Sequence, residues 1–336
     1  MFQRFLNFCL TFLILIHVAA ASYAAFWSWQ EVYEPRQVPE SQRLFRVPAG
    51  ATLNQVLTDL SDRNLAPPPL IVRSVLALRD RSVLVKKGTY LLPEQTSTWH
   101  LLELLDEGQV RLSRLTVPEG LDKWEIATLL GATSWGDEAT FTALLNDPQP
   151  IADLDPEAQD LEGYLFPETY YFEETATPSD IVTALIQEFR NQTETFRQTI
   201  AQRGGNLREW LTLASLVEEE SAVAEERATI AGVFSKRLER GMLLQCDPTI
   251  VYSLKLNARY RGKIYRSDIG FEHPYNTYTT PGLPPGPICN PGRAAMAAAL
   301  NPADTPYLYF VARNNGTHHF SKTLREHNRA VAKYQR

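Results

Sequence analysis

Between Arg4 and Glu31 the chain carries no Asp, Glu, Lys or Arg, and Phe8 to Ala25 is almost wholly apolar. No other feature constrains the fold as strongly. About 20 apolar residues in a helix span the hydrocarbon core of a bilayer, where each backbone N–H and C=O must find its partner within the segment. The run predicts one spanning helix within residues 1–30. Arg4 lies on the short side, while Glu31 and Glu34 lie just beyond the run. That asymmetry fits an N-terminus inside and the bulk of the chain outside, with Trp27 and Trp29 at the outer interface. Ala19-Ala20-Ala21 offers a second reading, a cleaved signal peptide. Both readings export the rest of the chain, and no second spanning run is present.

The rest of the 336 residues carries a prior of two domains. Lys and Arg number 33 against 39 Asp and Glu, a net charge of −6, and no basic cluster stands out. That balance argues against nucleic acid as a partner. Cys9 falls in the apolar run, and the spacing of Cys246 and Cys289 resembles no metal site; an oxidising compartment would let those two pair, and free thiols are the favoured expectation.

Residues 31–43 are polar, contain two prolines and read as a linker. A partial repeat comes next. Phe45-Arg46-Val47-Pro48-Ala49-Gly50 precedes a helical pattern over Thr52 to Leu60, and Leu115-Thr116-Val117-Pro118-Glu119-Gly120 precedes another over Leu121 to Leu130. Each predicts strand, Pro-Gly turn and amphipathic helix. Lys87-Gly88-Thr89-Tyr90-Leu91 with the helix Thr98 to Leu105 adds a third unit, so residues 44–160 are expected to form a small α/β module. Leu161 to Phe172 is dense in aromatics, as either core or a platform for sugar rings. A domain change is placed near 155–175, with 161–336 as the second domain.

Leu207 to Val223 predicts the helix around which that second domain is organised. Asn206 is a good N-cap, the run lacks Pro and Gly, and Trp210, Leu213, Ala214, Leu216 and Val217 recur at helical spacing. Glu218, Glu219 and Glu220 close it. At about 100° per residue they cannot share one face. Glu218 continues the apolar side, Glu219 lies nearer the open side, and Glu220 also borders apolar surface. Two readings stay open: a solvated acidic helix end, or a carboxyl on a buried edge whose raised pKa suits proton donation.

Downstream, helices are predicted over Ala228 to Arg240, from Asp247-Pro248-Thr249 to Leu254, over Arg293 to Leu300 and after Thr323, with a short strand at Leu243-Leu244-Gln245. Leu308 to Ala312 and Thr317 to Phe320 flank an Asn-Asn-Gly turn and predict a hairpin. Pro281 to Gly292 holds five prolines and three glycines in twelve residues. It is too stiff for a flexible linker, and reads as a structural loop or as the wall of a ligand groove beside Tyr275-Asn276-Thr277-Tyr278. His318, His319 and His327 form no HExxH pattern, and neither G-x-S-x-G nor a P-loop occurs. No metal and no cofactor are expected.

Together these motifs resemble a family, the endolytic murein transglycosylases of the MltG (YceG-like) family. The likeness is carried by Lys87-Gly88-Thr89-Tyr90, Val117-Pro118-Glu119-Gly120, Leu161 to Pro167, Ala214 to Ser221, Leu244 to Thr249, Tyr275 to Tyr278, Gly282 to Ile288 and Tyr307 to Val311. It implies an α+β protein: an inner-membrane helix, a small LysM-like domain and a mixed α+β catalytic domain facing the cell wall, single-pass. It implies cleavage of peptidoglycan glycan strands between N-acetylmuramic acid and N-acetylglucosamine without water, leaving 1,6-anhydro-muramic ends and terminating nascent strands. Peptidoglycan synthases are the implied partners. The family's catalytic glutamate maps onto Glu218 and its second acid onto Glu220. Gln245, Asp247, Tyr275, Asn276 and Tyr278 are the groove candidates, although Asp247 also fits a helix cap. Cys246 stands where the family usually has Ser, and Glu219 where a basic residue is often found. Two other readings are a water-using muramidase with Glu218 as acid and Glu220 as partner, and a non-catalytic wall-binding scaffold.

Overall fold

A computed structural model describes residues 2–335, apart from the side chains of residues 2–9, so the Arg4 and Cys9 side chains lie outside the described residues. The chain divides into two compact units, Met1–Ser113 with Tyr171–Thr175, and Arg114–Tyr170 with Ala176–Arg336. The α+β class is as expected, with helices predominating and only two-stranded sheets among the described residues.

In the first unit, α1 (Phe2–Tyr33) contains a stretch, Leu10–Tyr33, long and apolar enough to cross a bilayer. Then come β1 (Arg36–Gln37), β2 (Leu44–Val47), α2 (Leu53–Asp62), α3 (Pro69–Leu78), β3 (Gly88–Leu91), β4 (Gln95–Thr96), α4 (Thr98–Glu107) and the start of β5 (Leu112–Thr116). β2 and β3 are antiparallel with Phe45 opposite Tyr90. Alternation along β2 turns Phe45 and Val47 inward against Val56, Leu60, Leu101, Leu104 and Leu105. Thr52 and Ser97 cap α2 and α4, each accepting a backbone N–H from the first turn.

The polar stretch 31–43 is not a linker. Val32 is fully buried with Leu57, Val72, Val75, Leu76 and Leu102. β1 pairs antiparallel with β4, the Val38 N–H donates to Glu94 O at 2.8 Å, and Arg43 Nε donates to Leu92 O at 3.1 Å. Polar side chains face water while the backbone beneath them is bonded, so composition alone misreads this segment.

The second unit takes over within β5 and runs through α5 (Lys123–Gly131), α6 (Glu138–Leu145), the first residues of β6 (Thr169–Glu173), α7 (Pro178–Gln202), α8 (Leu207–Glu220), α9 (Arg227–Glu239), α10 (Asp247–Leu256), α11 (Arg266–Ile269), α12 (Arg293–Leu300), β7 (Tyr309–Ala312), β8 (His318–Ser321) and α13 (Leu324–Tyr334). Residues 114–160, grouped by pattern with the first module, pack here instead. Leu161 N–H donates to Leu145 O at 2.9 Å, Lys123 pairs with Asp160, and Ile126, Leu130 and Phe141 are fully buried. Strand-turn-helix repetition reports local conformation and says nothing about which core the helix joins.

α8 lies at the centre and packs against α9, α10 and α12. Asn206 caps it, accepting the Glu209 N–H at 3.2 Å. Every residue from Trp210 to Val217 is buried. That is more than the one apolar face the spacing predicts, and it marks a helix surrounded by protein. Burying each of its Leu and Val side chains contributes about 1.5–3 kcal/mol before conformational entropy is charged. The helix ends at Glu220, earlier than expected, because Ser221 turns to an extended backbone. Trp210 Nε1 donates to Met296 O at 3.0 Å and ties α8 to α12. The predicted strand at Leu243-Leu244-Gln245 does not form. Gln245 has φ +52°, which breaks an extended run, and its N–H donates to Thr277 O at 3.1 Å. The β7–β8 hairpin forms with Phe310 opposite Phe320, and Thr323 caps α13.

Candidate active site

Asn290, in the Pro-Gly loop, joins three separate segments. Its side-chain Oδ1 accepts the Leu165 N–H at 2.9 Å, and its Nδ2 donates to Leu121 O and Glu162 Oε1. Its backbone exchanges bonds with Leu121 O and the Gly120 N–H. One fully buried amide thus holds the Val117-Pro118-Glu119-Gly120 turn, the Leu161–Phe166 segment and the loop before α12 together. Gly163 permits the close approach. It has φ +87°, and a Cβ there would sit 2.6 Å from Pro287 Cγ and 3.1 Å from Leu211 Cδ2. Tyr164 and Phe166 are buried, so these aromatics are core, and Tyr164 OH donates to Asp155. Glu162 is also buried. It accepts from the Lys123 N–H, Tyr252 OH and Asn290, and burial holds its carboxyl well above the usual range.

The three consecutive glutamates point to three environments. Glu218 is the most constrained. Its side chain is 8 % exposed, Oε2 accepts the Gly292 N–H at 2.9 Å, and Oε1 lies 3.7 Å from Arg227 Nη2. Burial raises its pKa most, Glu119 raises it further, and the Gly292 N–H and Arg227 oppose the rise. The C-terminal end of the α8 dipole adds to the preference for a neutral carboxyl. Gly292 lets Glu119 approach, since a Cβ at that position would sit 1.9 Å from Glu119 Oε1.

Glu219 lies on the open side, where the sequence placed it, but it lines a cleft. The cleft encloses roughly 360 Å³ and is bordered by Gly120, Asp122, Glu125, Asp247, Tyr252, Lys255 and Ile288 among others. Water reaches Glu219, yet the cleft walls desolvate it and its pKa rises to about 7, with Glu125 and Asp122 adding to the shift. Gly120, with φ +82°, brings the two acids to one place: its Cβ direction meets Glu219 Oε1 at 3.6 Å and Glu218 Cγ at 3.8 Å. Glu220 turns elsewhere. Cys246 Sγ–H donates to its Oε1 at 3.2 Å, and burial raises its pKa.

The groove candidates separate. Asp247 borders the cleft. It does not cap α10 through its side chain but accepts Tyr278 OH at 2.6 Å. Tyr275 is half-buried and packs on Tyr252, centroids 4.9 Å apart, so it backs a cleft residue. Gln245 is exposed on its strained turn. Asn276 is fully buried: its Nδ2 donates to Ile269 O and Phe271 O, and its Oδ1 accepts the Tyr278 N–H. It braces the turn and has no free face for a ligand. Of the Pro-Gly loop, Ile288 reaches the cleft, and its N–H donates to Ser215 Oγ at 3.1 Å.

Residue-by-residue reading missed several groups at this site. Glu119 was visible only as part of a turn and Gly292 only as the end of a loop, and Arg227 fell just before the helix predicted from Ala228. Lys255, paired with Asp122 and Glu125, gave no signal because its partners lie more than a hundred positions away. The three histidines diverge. His318 pairs with Glu226, His319 lies beside Arg313, and His327 stacks on Tyr309. Among the described residues no group of His, Cys, Asp and Glu is arranged to hold a metal ion, and Cys246 and Cys289 are free, buried thiols.

Fold and site together define an α+β protein that carries, among its described residues, one bilayer-length apolar helix and, in its second unit, an acidic cleft with a desolvated glutamate, Glu218, close by. The chain belongs to the YceG-like family, whose sequence profile matches residues 45–333. It is 32 % identical over 304 residues to an endolytic murein transglycosylase from Bacillus subtilis, covering 86 % of this chain and 83 % of that one. An endolytic murein transglycosylase from Streptococcus pneumoniae is 29 % identical over 325 residues, and there the match spans only 57 % of the relative's length. The crystal structure of a yceG-like protein from Listeria monocytogenes superposes with a TM-score of 0.60 at 30 % identity, covering 85 % of this chain and 97 % of that one.

Proposed function

We propose that this protein is a membrane-bound endolytic lytic transglycosylase of peptidoglycan, anchored once in the cytoplasmic membrane with its second unit on the wall side. The observation that carries this reading is the state of Glu218: buried, raised in pKa, and fixed through one oxygen by the Gly292 N–H. With Oε2 held as acceptor, Oε1 is the oxygen that carries the proton. Glu218 donates it to the glycosidic oxygen as the C1–O bond of N-acetylmuramic acid breaks. The resulting carboxylate then takes the proton of that sugar's 6-hydroxyl, whose oxygen closes on C1. The product is a 1,6-anhydro end, no water is consumed, and Glu218 is again protonated. Burial first and the nearby Glu119 next favour the protonated acid, and Arg227 and the Gly292 N–H stabilise the carboxylate formed between the two steps.

A muramidase would need a second carboxylate to act on water. Glu220, the expected partner, is instead occupied by the Cys246 thiol, which favours the waterless route and a positioning role for Glu220. Asp247, Tyr278, Tyr275 and Gln245 are the proposed groove contacts, and Asn276 shapes the turn that presents Tyr278. The first unit is proposed as the LysM-like module, and peptidoglycan synthases as partners in ending nascent strands. Digestion of purified glycan strands in heavy-oxygen water tests the reaction. Anhydro ends without label are expected. Reducing ends carrying heavy oxygen would replace this reading with the muramidase, and uncut strands would leave the scaffold.

A further inference from the structure

α3 carries apolar side chains on both sides. Val72, Val75 and Leu76 face the core, while Leu70, Ala77 and Leu78 lie outward at helical spacing, with Leu70 77 % and Leu78 79 % exposed. Arg73 and Ser74 share that outer face, so it is a mixed, interfacial surface, and leucines this exposed on it call for cover. Its position says what the cover is. α3 packs on α1, and Val32 and Tyr33 at the end of α1 join its buried cluster. The Arg79 guanidinium, directly after Leu78, lies 4.4 Å over the Trp29 ring, which in turn stacks on Tyr33 at 4.3 Å. The apolar run opens at Phe8, and 20 residues at 1.5 Å each, about the 30 Å thickness of a hydrocarbon core, reach Trp27. Trp27 and Trp29 therefore lie where α1 leaves the apolar layer, and the Leu78–Arg79 end of α3 sits beside them.

We infer that the outer face of α3 is a membrane-surface helix, seated in the headgroup layer of the bilayer that α1 crosses. Leu78 enters the acyl boundary, and Arg73 and Arg79 meet anionic phosphates there. An amphipathic helix of this kind sinks its apolar face about 5–10 Å into the interface. The first unit is thereby held against the lipid by two elements, and the segment after α1 is a docked joint. The inference rests on α1 spanning the membrane.

The test uses the full chain with Cys9→Ser, since Cys246 and Cys289 are buried. Leu78→Cys, or Thr58→Cys on the exposed side of α2, is labelled with the environment-sensitive fluorophore NBD. The protein is reconstituted in phosphatidylglycerol–phosphatidylcholine vesicles. Emission at position 78 is expected to shift to the blue and rise several-fold over position 58, with protection from dithionite. It is expected to fall back when phosphatidylglycerol is left out. If the protein floats with the vesicles and resists carbonate extraction, yet the two labels are equally wet, the inference is overturned while the anchor stands. If carbonate strips the protein from the vesicles, the anchor itself fails and the inference goes with it.

Discussion

Glu218→Gln separates chemistry from folding. The amide is isosteric, and its oxygen can still accept the Gly292 N–H. The environment already favours the uncharged form of this side chain, so a permanently neutral one carries no folding penalty from lost charge. What is lost is the loose contact with Arg227 at 3.7 Å, which the relief of desolvation offsets. The net change in stability is expected to stay within about 1 kcal/mol, a shift in Tm of roughly 2–4 °C for a unit of this size. The rate should fall much further. Removing a positioned general acid costs about 10²–10⁴-fold, or roughly 3–5.5 kcal/mol at about 1.36 kcal/mol per decade. Here the same residue serves in both steps, which argues for the upper half of that range. The assay is the initial rate of anhydro-end formation on purified strands by mass spectrometry, beside a thermal scan. A variant with unchanged Tm that keeps more than about a tenth of the wild-type rate would refute the assignment of the acid to Glu218.

The same geometry sets four other outcomes. Glu219→Gln should change the pH dependence of stability. Wild-type Glu219 is protonated in both folded and unfolded states below 4.5, and between 4.5 and about 7 the unfolded chain ionises while the folded one resists, so wild type loses stability over that window. The variant should match wild type at low pH and have the higher Tm above about pH 7; equal pH profiles would contradict the desolvated cleft. Gly292→Ala should push Glu119 aside with little loss of stability, because Glu119 is exposed and able to swing away. With Glu119 displaced, the alkaline limb of the pH–rate profile should move to lower pH, and an unmoved limb would remove Glu119 from the mechanism. Tyr278→Phe frees Asp247 from its phenolic donor and should raise KM with little change in kcat; an unchanged KM would take the pair out of the groove. Gly232→Ala places a Cβ 2.2 Å from Ala303 O, a backbone atom that cannot swing away, so overpacking of about 1–3 kcal/mol is expected in a denaturant titration.

The local signals were legible because each is written in adjacent residues. The apolar run predicted α1, Asn206 the start of α8, Thr323 the start of α13, and the Asn-Asn-Gly turn the β7–β8 hairpin. Spacing set Glu218 and Glu220 beside apolar surface without choosing between a solvated end and a buried acid, and the motifs around them, through the family they resemble, singled out Glu218. Legibility stopped where a residue's role depends on partners distant in sequence. Asn276 resembles a groove residue in a run of polar and aromatic side chains, yet three hydrogen bonds consume it as a brace. Residues 31–43 resemble a linker, yet Val32 is wholly buried.

The sequence by itself determined that one helix is apolar enough to cross a bilayer and that three carboxylates end an amphipathic helix on three different bearings. Periodicity and capping act over a few residues and need no further information. Only the tertiary structure decided what each carboxylate meets. Glu218 finds a backbone N–H 74 positions away and an arginine on the next helix, Glu219 a cleft wall, and Glu220 a thiol from the start of α10. Desolvation and charge act through space, so the pKa of a side chain belongs to its neighbours in the fold and is not written in its neighbours along the chain.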